Sequence, residues 1–316
     1  AKCEELRRVP DETLADFHST GLFRMLQPKR FGGSELDYGD IVELGAVTAR
    51  GCGSSGWVFG NLAVHHWMLG IWPAEAQHEI WDEDPDALIG SAFAFPCGRA
   101  TKVDGGYRVR GRWPFSSGID PSTWVMVGAM VDPPEGQTAL EARMFLVPMK
   151  DYKVIDNWFV AGLRGTGSDT YMVNDLFVPA ERTCSDQTEQ PLERGPLYQF
   201  PIRAAFSSGF ASVAFGIVRS MLDAFEDVAQ DKVPRAGMVV LKQNAVVQSQ
   251  VARAEAQLRA ARAYMHQTLR EAHAYAEQHG TLSLEQRVLI RLATTHAIQQ
   301  AAQVGDAIHM AAGATA

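Results

Sequence analysis

The change of hydrophobic period along the chain most constrains its fold. Apolar residues recur at three- and four-residue intervals up to about residue 86, which predicts helices. Short β-like runs fill residues 87 to about 185, and helical spacing returns from about residue 195. This segregation predicts an α+β fold. The predicted parts are an N-terminal helical domain (1–86), a middle small β domain (87–190) and a C-terminal helical bundle (191–316).

Two bends in the β region combine glycine with hydroxyl or aromatic side chains. The first reads Gly-Arg-Trp-Pro-Phe-Ser-Ser-Gly over residues 111–118, and the second reads Gly-Leu-Arg-Gly-Thr-Gly-Ser-Asp over residues 162–169. Glycine lets the backbone approach a flat ligand closely. Hydroxyl groups can pair with ring nitrogens and carbonyl oxygens. Two such bends on one small sheet favour a site for a planar heterocycle, in particular a flavin.

Composition narrows the classes of partner. The 316 residues carry 29 basic and 37 acidic side chains, a net charge of -8, without a run of Lys or Arg, which argues against nucleic-acid binding. No apolar run reaches the roughly 18–20 residues that span a bilayer, and no secretory signal is visible. Four widely separated cysteines form no CxxC pair. Reduced thiols and a cytoplasmic location are therefore predicted.

Residues 51–56 form a literal GxGxxG, but their surroundings do not suit a dinucleotide-binding turn. Such a turn follows a strand and precedes an acidic residue at the end of a second strand. Here residues 40–50 have helical spacing, and Glu75 and Glu79 lie in a helical segment. A turn between two helices explains the glycines better. No HExxH or CxxC pattern predicts a metal site, and no GxSxG pattern predicts a hydrolase nucleophile.

The polar residues of these segments have ordinary structural explanations when each is taken alone. A histidine on an apolar helix is more often structural than catalytic, and an arginine before a helix is usually solvated. Adjacent serines in a bend are common turn residues, and one serine in a strand is often a small half-buried residue. The residues concerned are His65, Ser91, Ser116, Ser117 and Arg203.

Taken together, however, the segments resemble the acyl-CoA dehydrogenase fold. The resemblance is closer to its oxygen-using branch, the oxygenase components of two-component flavin-dependent monooxygenases. Members of that branch include 4-hydroxyphenylacetate 3-hydroxylase oxygenase and the steroid-degradation phenol hydroxylases. The resemblance covers nearly the whole chain and is carried by residues 28–33, 49–57, 104–107, 111–118 and 162–179.

The dehydrogenase branch has a TEP-then-GSD segment where this chain has residues 93–98, and WITNG where it has Pro-Phe-Ser-Ser-Gly. No convincing catalytic glutamate appears in the late helices. The oxygenase branch often has Cys-Asp-His after Ser-Ser-Gly, where this chain has Ile119, Asp120 and Pro121. We expect the catalytic histidine that this branch carries near its C-terminus to lie beyond residue 316.

The resemblance implies that a separate flavin reductase supplies reduced FMN or FAD, most simply by diffusion. The flavin would react with O2 and, through a C4a-hydroperoxyflavin, hydroxylate an aromatic substrate of phenolic type. Ser116 matches the position that contacts flavin N5, with Ser117 as the fallback. Trp57 and Phe115 would wall the flavin and substrate cavity. The remaining cofactor-binding residues implied are Thr166, Gly167, Ser168 and Arg203.

On the substrate side, His65 and Ser91 match positions that hold a phenol hydroxyl in the family, and Trp57 would line the same cavity. A neutral histidine can accept a phenol proton at cytoplasmic pH. The resemblance also implies a homotetramer assembled through the C-terminal bundle. Three alternatives stay open: an acyl-CoA dehydrogenase-like flavoenzyme, an N-oxygenating monooxygenase of the same fold, and a non-catalytic flavin binder.

Overall fold

The chain divides into two units that alternate along the sequence. The computed structural model describes residues 2–133, 136, 138–185, 193, 195–234, 237 and 239–313. The first unit comprises Ala1–Leu36 and Val58–Gln199, and the second comprises Asp37–Trp57 and Phe200–Ala316. The predicted boundary between residues 190 and 191 lies outside the described residues, and the division into three domains stays a prediction.

One mixed sheet dominates the first unit. Its strand order is β6-β7-β3-β2-β4-β5-β8, and β1 pairs with β4 off this path. Most neighbouring strands are antiparallel, but β1 and β2 each run parallel to β4. The strands are β1 (Ile89–Ala92), β2 (Gly98–Val103), β3 (Gly106–Trp113), β4 (Trp124–Val131), β5 (Glu141–Pro148), β6 (Lys153–Ile155), β7 (Thr170–Pro179) and β8 (Thr183–Ser185).

Turn chemistry and one large aromatic side chain organise the middle of this sheet. Asp104 and Gly105 form the two-residue turn between β2 and β3, and Gly105 has a φ of 73°, which a glycine adopts without strain. Trp113 is fully buried, and its Nε1 donates to the carbonyl of Gly128 at 2.7 Å. Its ring stacks on that of Tyr171 at 5.5 Å. The core of the sheet therefore forms around the end of β3 that leads into the first bend.

The first unit also contains helices that surround its functional residues. They are α1 (Lys2–Leu6), α2 (Asp11–Ser19), the main part of α4 (Gly53–Gly70) and α5 (Ala74–Trp81). Every residue of α4 from Val58 onward is buried. A helix buried on all sides has no polar face, which accounts for the continuous apolar character of this segment.

The second unit consists of α3 (Tyr38–Gly51), the first turn of α4, α6 (Ile202–Asp231), α7 (Ala245–His279) and α8 (Leu284–Ala312). Small residues let α3 and α6 approach closely. A Cβ on Gly216 would lie 2.4 Å from the carbonyl oxygen of Ala46, and one on Gly45 would lie 2.2 Å from Oγ of Ser212. The helix-to-helix turn predicted for the GxGxxG is confirmed, since α3 ends at Gly51 and α4 begins at Gly53.

The helix ends follow from local sequence. Asn244 accepts from the backbone N–H groups of Val246 and Val247 at the start of α7, and Ser283 accepts from that of Gln286 at the start of α8. By length and composition α6 could cross a membrane. A single such helix is weak evidence, since a mostly buried core helix passes the same test, and 56% of the relevant window is buried.

The substitution Gly98→Ala should lower the free energy of unfolding by about 1–3 kcal/mol. The added Cβ would lie 2.5 Å from Cζ2 of Trp113 and 2.7 Å from the carbonyl oxygen of Gly128, both fixed in the sheet. Chemical denaturation measures the change. Gly162→Ala is the control in the same unit, because its Cβ would meet no atom within 4 Å. Equal effects of the two substitutions would contradict this account of the packing.

Candidate active site

The two predicted bends lie side by side in the first unit. The backbone N–H of Ser116 donates to the carbonyl of Asp169 at 3.1 Å, and that of Gly118 donates to the carbonyl of Thr166 at 2.9 Å. Asp169 in turn anchors the second bend, because its Oδ1 accepts from the backbone N–H groups of Asn157 and Trp158, both at 2.8 Å. The bends therefore form one connected structure.

Each bend holds a residue other than glycine in the left-handed region. Phe115 has a φ of 64° and Leu163 a φ of 53°. Such residues are uncommon, and strained backbone concentrates at functional sites. The ring of Phe115 is 70% exposed and meets that of Trp158 edge-on at 5.9 Å. A strained residue that presents an aromatic ring suits the predicted role of Phe115 as a wall for a flat ligand.

Three buried hydroxyl groups form a directed chain across the bends. Thr166 donates to the carbonyl of Leu163 at 2.9 Å, and its Oγ1 lies 2.6 Å from Oγ of Ser168. Oγ of Ser168 lies 2.7 Å from Oγ of Ser117. Because a hydroxyl carries one hydrogen, Ser168 must donate to Thr166 and Ser117 to Ser168. The hydroxyl hydrogen of Ser117 is therefore already donated to Ser168.

Ser116 differs from its neighbours because its hydroxyl is fully buried yet has no hydrogen-bond partner among the described residues. A buried polar group left in this state costs about 1–3 kcal/mol. A ligand atom able to donate or accept at this point would remove that cost. The unpartnered hydroxyl and the strained aromatic bend fit the polar edge of a flavin ring.

A second polar pair lies between α4 and β1. Nδ1 of His65 is 2.5 Å from the carbonyl oxygen of Ile89, and its Nε2 is 2.6 Å from Oγ of Ser91. The carbonyl can only accept, so the neutral ring carries its proton on Nδ1. Nε2 is then an acceptor, and Ser91 donates to it. This arrangement leaves a buried imidazole oriented to accept a proton from a hydroxyl group.

Burial lowers the pKa of His65 to about 4, although the hydrogen bond to Ile89 opposes this effect. The imidazole is therefore neutral at pH 7. Asp120, beside the second bend, has its pKa raised by burial and then by the charge of Asp169. A Cβ on Gly167 would lie 2.6 Å from Oδ2 of Asp120, and Gly167 has a φ of 51°. Glycine is required there for space and conformation.

Asn61 is a site residue that the sequence reasoning missed. Its Nδ2 donates to the carbonyl of Ser117 at 3.0 Å. Asn61 and His65 are four residues apart and so share a face of α4. One helix face thus holds both the first bend and β1. A buried amide in an otherwise apolar helix was the available signal.

Two of the predicted site residues belong to the second unit. Trp57 stacks on Phe210 with ring centroids 4.4 Å apart and planes inclined by 10°. Arg203 lies in the first turn of α6 and is exposed. Their predicted contacts with flavin stay predictions. No group of three His, Cys, Asp or Glu side chains among the described residues is placed to hold a metal ion.

Comparisons with known proteins identify the family of the chain. The family model described as "Acyl-CoA dehydrogenase, C-terminal domain" matches residues 208–316. The oxygenase component of the FADH(2)-dependent resorcinol hydroxylase of Rhizobium sp. is 35% identical over 243 residues, covering 74% of this chain and 59% of its own length. The oxygenase component of p-hydroxyphenylacetate 3-hydroxylase of Acinetobacter baumannii is 30% identical over 322 residues, covering 99% and 75%.

Among solved structures, the 3-HSA hydroxylase of Rhodococcus sp. RHA1 superposes with a TM-score of 0.92 at 32% identity, covering 99% of this chain and 82% of that one. The chain therefore belongs to the family of oxygenase components of flavin-dependent monooxygenases that have the acyl-CoA dehydrogenase fold. The predicted fold class and family resemblance are confirmed. The chain spans 59% of the length of each of two curated relatives, the resorcinol hydroxylase component among them.

Lowering the pH from about 6.5 toward 4 should lower the free energy of unfolding. Burial lowers the folded-state pKa of His65 to about 4 and that of His66 to about 3, against an ordinary value of 6.5. The unfolded chain therefore binds these protons first, so their stabilisation is present above pH 6.5 and is lost as the pH falls. Each imidazole contributes a slope of about 1.4 kcal/mol per pH unit.

Urea unfolding at a series of pH values measures that slope. The substitution His66→Gln should reduce this slope by the contribution of one imidazole, because the variant lacks that titrating group. An unchanged slope in the His66 variant would refute the assignment.

Proposed function

We propose that this chain is the oxygenase component of a two-component monooxygenase that hydroxylates an aromatic substrate of phenolic type with reduced FMN or FAD and O2. The observation that carries the proposal is the fully buried hydroxyl of Ser116, which has no partner among the described residues. The names of the relatives support it, since one is FADH(2)-dependent and acts on resorcinol and another acts on p-hydroxyphenylacetate.

The bound flavin supplies the activation of O2, and the protein controls its surroundings. Ser116 would hydrogen-bond flavin N5, because a hydroxyl can accept from an N–H or donate to a bare nitrogen. Ser117 would be the alternative contact at this edge. Thr166, Gly167 and Ser168 would line the same edge. Phe115 and Trp57 would exclude water, which limits the loss of reduced flavin to peroxide.

On the substrate side, the phenol hydroxyl would donate to Nε2 of His65. Ser91 now donates to that nitrogen from 2.6 Å, so the substrate would share or replace this hydrogen bond. With a pKa of about 4, His65 is a weak base. It would therefore polarise the O–H bond more than it holds the proton, which raises electron density on the ring that is to be oxygenated.

We further propose that a separate reductase provides the reduced flavin by diffusion, that the protein is cytoplasmic, and that α6, α7 and α8 assemble a homotetramer. The proposed location rests on the sequence, whose four cysteines are widely separated and form no CxxC pair. Large apolar side chains remain exposed on the helices of the second unit, including Leu284 and Met310, at 77% and 79%. Such surface is commonly covered in an assembly.

The test of the function is to mix the full-length protein with chemically reduced flavin and oxygen in a stopped-flow spectrometer. A delay before oxidised flavin appears, followed by hydroxylated product when a phenol is present, is expected. Immediate oxidised flavin with stoichiometric peroxide would overturn the proposal in favour of a dehydrogenase-like protein or a non-catalytic flavin binder.

The substitution Ser116→Ala should raise the share of reduced flavin that ends as hydrogen peroxide by roughly tenfold, about 1.4 kcal/mol, the size of one lost hydrogen bond. Peroxide and hydroxylated product are measured per flavin oxidised. Ser220→Ala is the control, because its hydroxyl donates within its own helix, to Ile217 at 2.7 Å. An unchanged peroxide share in the Ser116 variant would remove this residue from the mechanism.

The substitution His65→Asn should reduce hydroxylation by about 10²-fold or more while reduced flavin still reacts with O2. The asparagine amide can replace the Nδ1 donor to Ile89 but offers no acceptor at the position of Nε2. Rates of product formation and of flavin oxidation are measured separately in single turnovers. Equal loss of both rates would show that His65 does not act on the substrate.

A further inference from the structure

Three arginines line one cavity of about 450 Å³ within the second unit. Arg203 lies in the first turn of α6, and Arg287 and Arg291 lie in the N-terminal half of α8. Arg287 and Arg291 are four residues apart and therefore share a helix face. Arginines from two helices thus line the same cavity.

None of these three arginines forms an ion pair with a carboxylate of the described residues. In the same unit Arg50 pairs with Asp223, Arg219 with Glu255 and Arg262 with Glu43. The first turn of α6 also has no acidic residue, although a helix N-terminus carries partial positive charge. In a chain of net charge -8, this cavity is a place where positive charge is not balanced.

The side chains with donors to offer in the cavity are the three arginines and the exposed Thr295, because the other two hydroxyl groups already donate to backbone carbonyls. The hydroxyl of Thr294 already donates to the carbonyl of Ile290 at 2.9 Å, and that of Ser207 to the carbonyl of Ala204 at 3.0 Å. Guanidinium groups pair with carboxylate and phosphate through two parallel hydrogen bonds. One carboxylate would balance only one of the three charges, whereas a phosphate ester or diphosphate balances two or three.

We propose that this cavity binds the phosphate group of a phosphorylated small molecule. The cavity is larger than a phosphate group alone, and Pro201, Ala204 and Val288 add apolar wall for an attached organic part. The phosphate has two chemical sources: the tail of the flavin nucleotide, in which case the inference rests on the proposed function, or a separate nucleotide.

The test is isothermal titration of the purified protein with pyrophosphate and with ADP at constant ionic strength. Wild type should bind at least one of them with a Kd below about 1 mM. The double variant Arg287→Gln, Arg291→Gln should weaken the affinity for that ligand at least about tenfold, since each lost guanidinium contact is charge-assisted. Glutamine has nearly the same helix propensity as arginine, and both positions are exposed, so folding should be preserved.

The matched control is Arg253→Gln, Arg270→Gln, which removes the same charge from exposed positions of α7 that do not line the cavity. It should bind within about twofold of wild type. Absence of binding to wild type, or equal weakening in both double variants, would overturn the proposal. Equal weakening would mean that only net charge matters.

Comparing the binding of FMN with that of riboflavin, which lacks the phosphate, identifies which molecule supplies the phosphate group. If Arg287 and Arg291 hold the phosphate of the flavin tail, their substitution weakens the binding of FMN and leaves the binding of riboflavin unchanged. If they hold a separate nucleotide, ADP binding falls while FMN and riboflavin are both unaffected. Because the pyrophosphate and ADP titrations need no flavin, their failure is distinct from failure of the monooxygenase proposal.

Discussion

The geometry of the first unit depends on one face of the buried helix α4. Asn61 holds the first bend through the carbonyl of Ser117, and one turn later His65 holds β1 through the carbonyl of Ile89. Both contacts are made by buried side chains, where a lost partner would cost about 1–3 kcal/mol. The helix thus fixes the distance between the bend and the strand, and with it the separation of Ser116 from the His65–Ser91 pair.

Ser116 and the His65–Ser91 pair are prepared for a ligand in opposite ways. Both hydrogen-bonding atoms of His65 have partners, which fix its tautomer and orientation. Ser116 has none among the described residues, so its hydroxyl can turn toward whatever enters. A group whose hydrogen bonds are already made is oriented before the ligand binds. A buried group without a hydrogen-bond partner gains the most free energy when a ligand supplies one. The neighbouring backbone strain at Phe115 is consistent with a segment shaped for binding more than for stability.

Periodicity was sufficient to predict most elements of the fold. The change from helical to β-like spacing near residue 87 and the glycine turn over residues 51–56 each have a local physical meaning, and the structure agrees with them. The parallel pairing of β1 and β2 with β4 could not be predicted, because no local signal specifies which distant strand becomes a neighbour. The two parallel pairs depend on the tertiary arrangement of the sheet.

The site was predictable to the extent that it depends on side-chain identity. Ser116, His65 and Ser91 were predicted through resemblance, since each alone has an ordinary structural explanation, and their roles stay predictions. The direction of the hydroxyl chain from Ser117 to Leu163 and the tautomer of His65 were not predictable, because backbone carbonyls fix both. Every residue has a carbonyl, so sequence carries no signal for the one that matters.

The arginines of the second unit can be divided in a similar way, into those paired with carboxylates and those that form no ion pair with a carboxylate of the described residues. Arg219 sits among Asp223, Glu226 and Glu255 and is held in place by them, so its charge is already used within the fold. Arg287 and Arg291 repel one another weakly at their four-residue spacing, at a cost of a few tenths of a kcal/mol. An anion between them would turn that repulsion into attraction. Unpaired cations that share a cavity are therefore a more specific indication of a ligand than the charge of any single arginine.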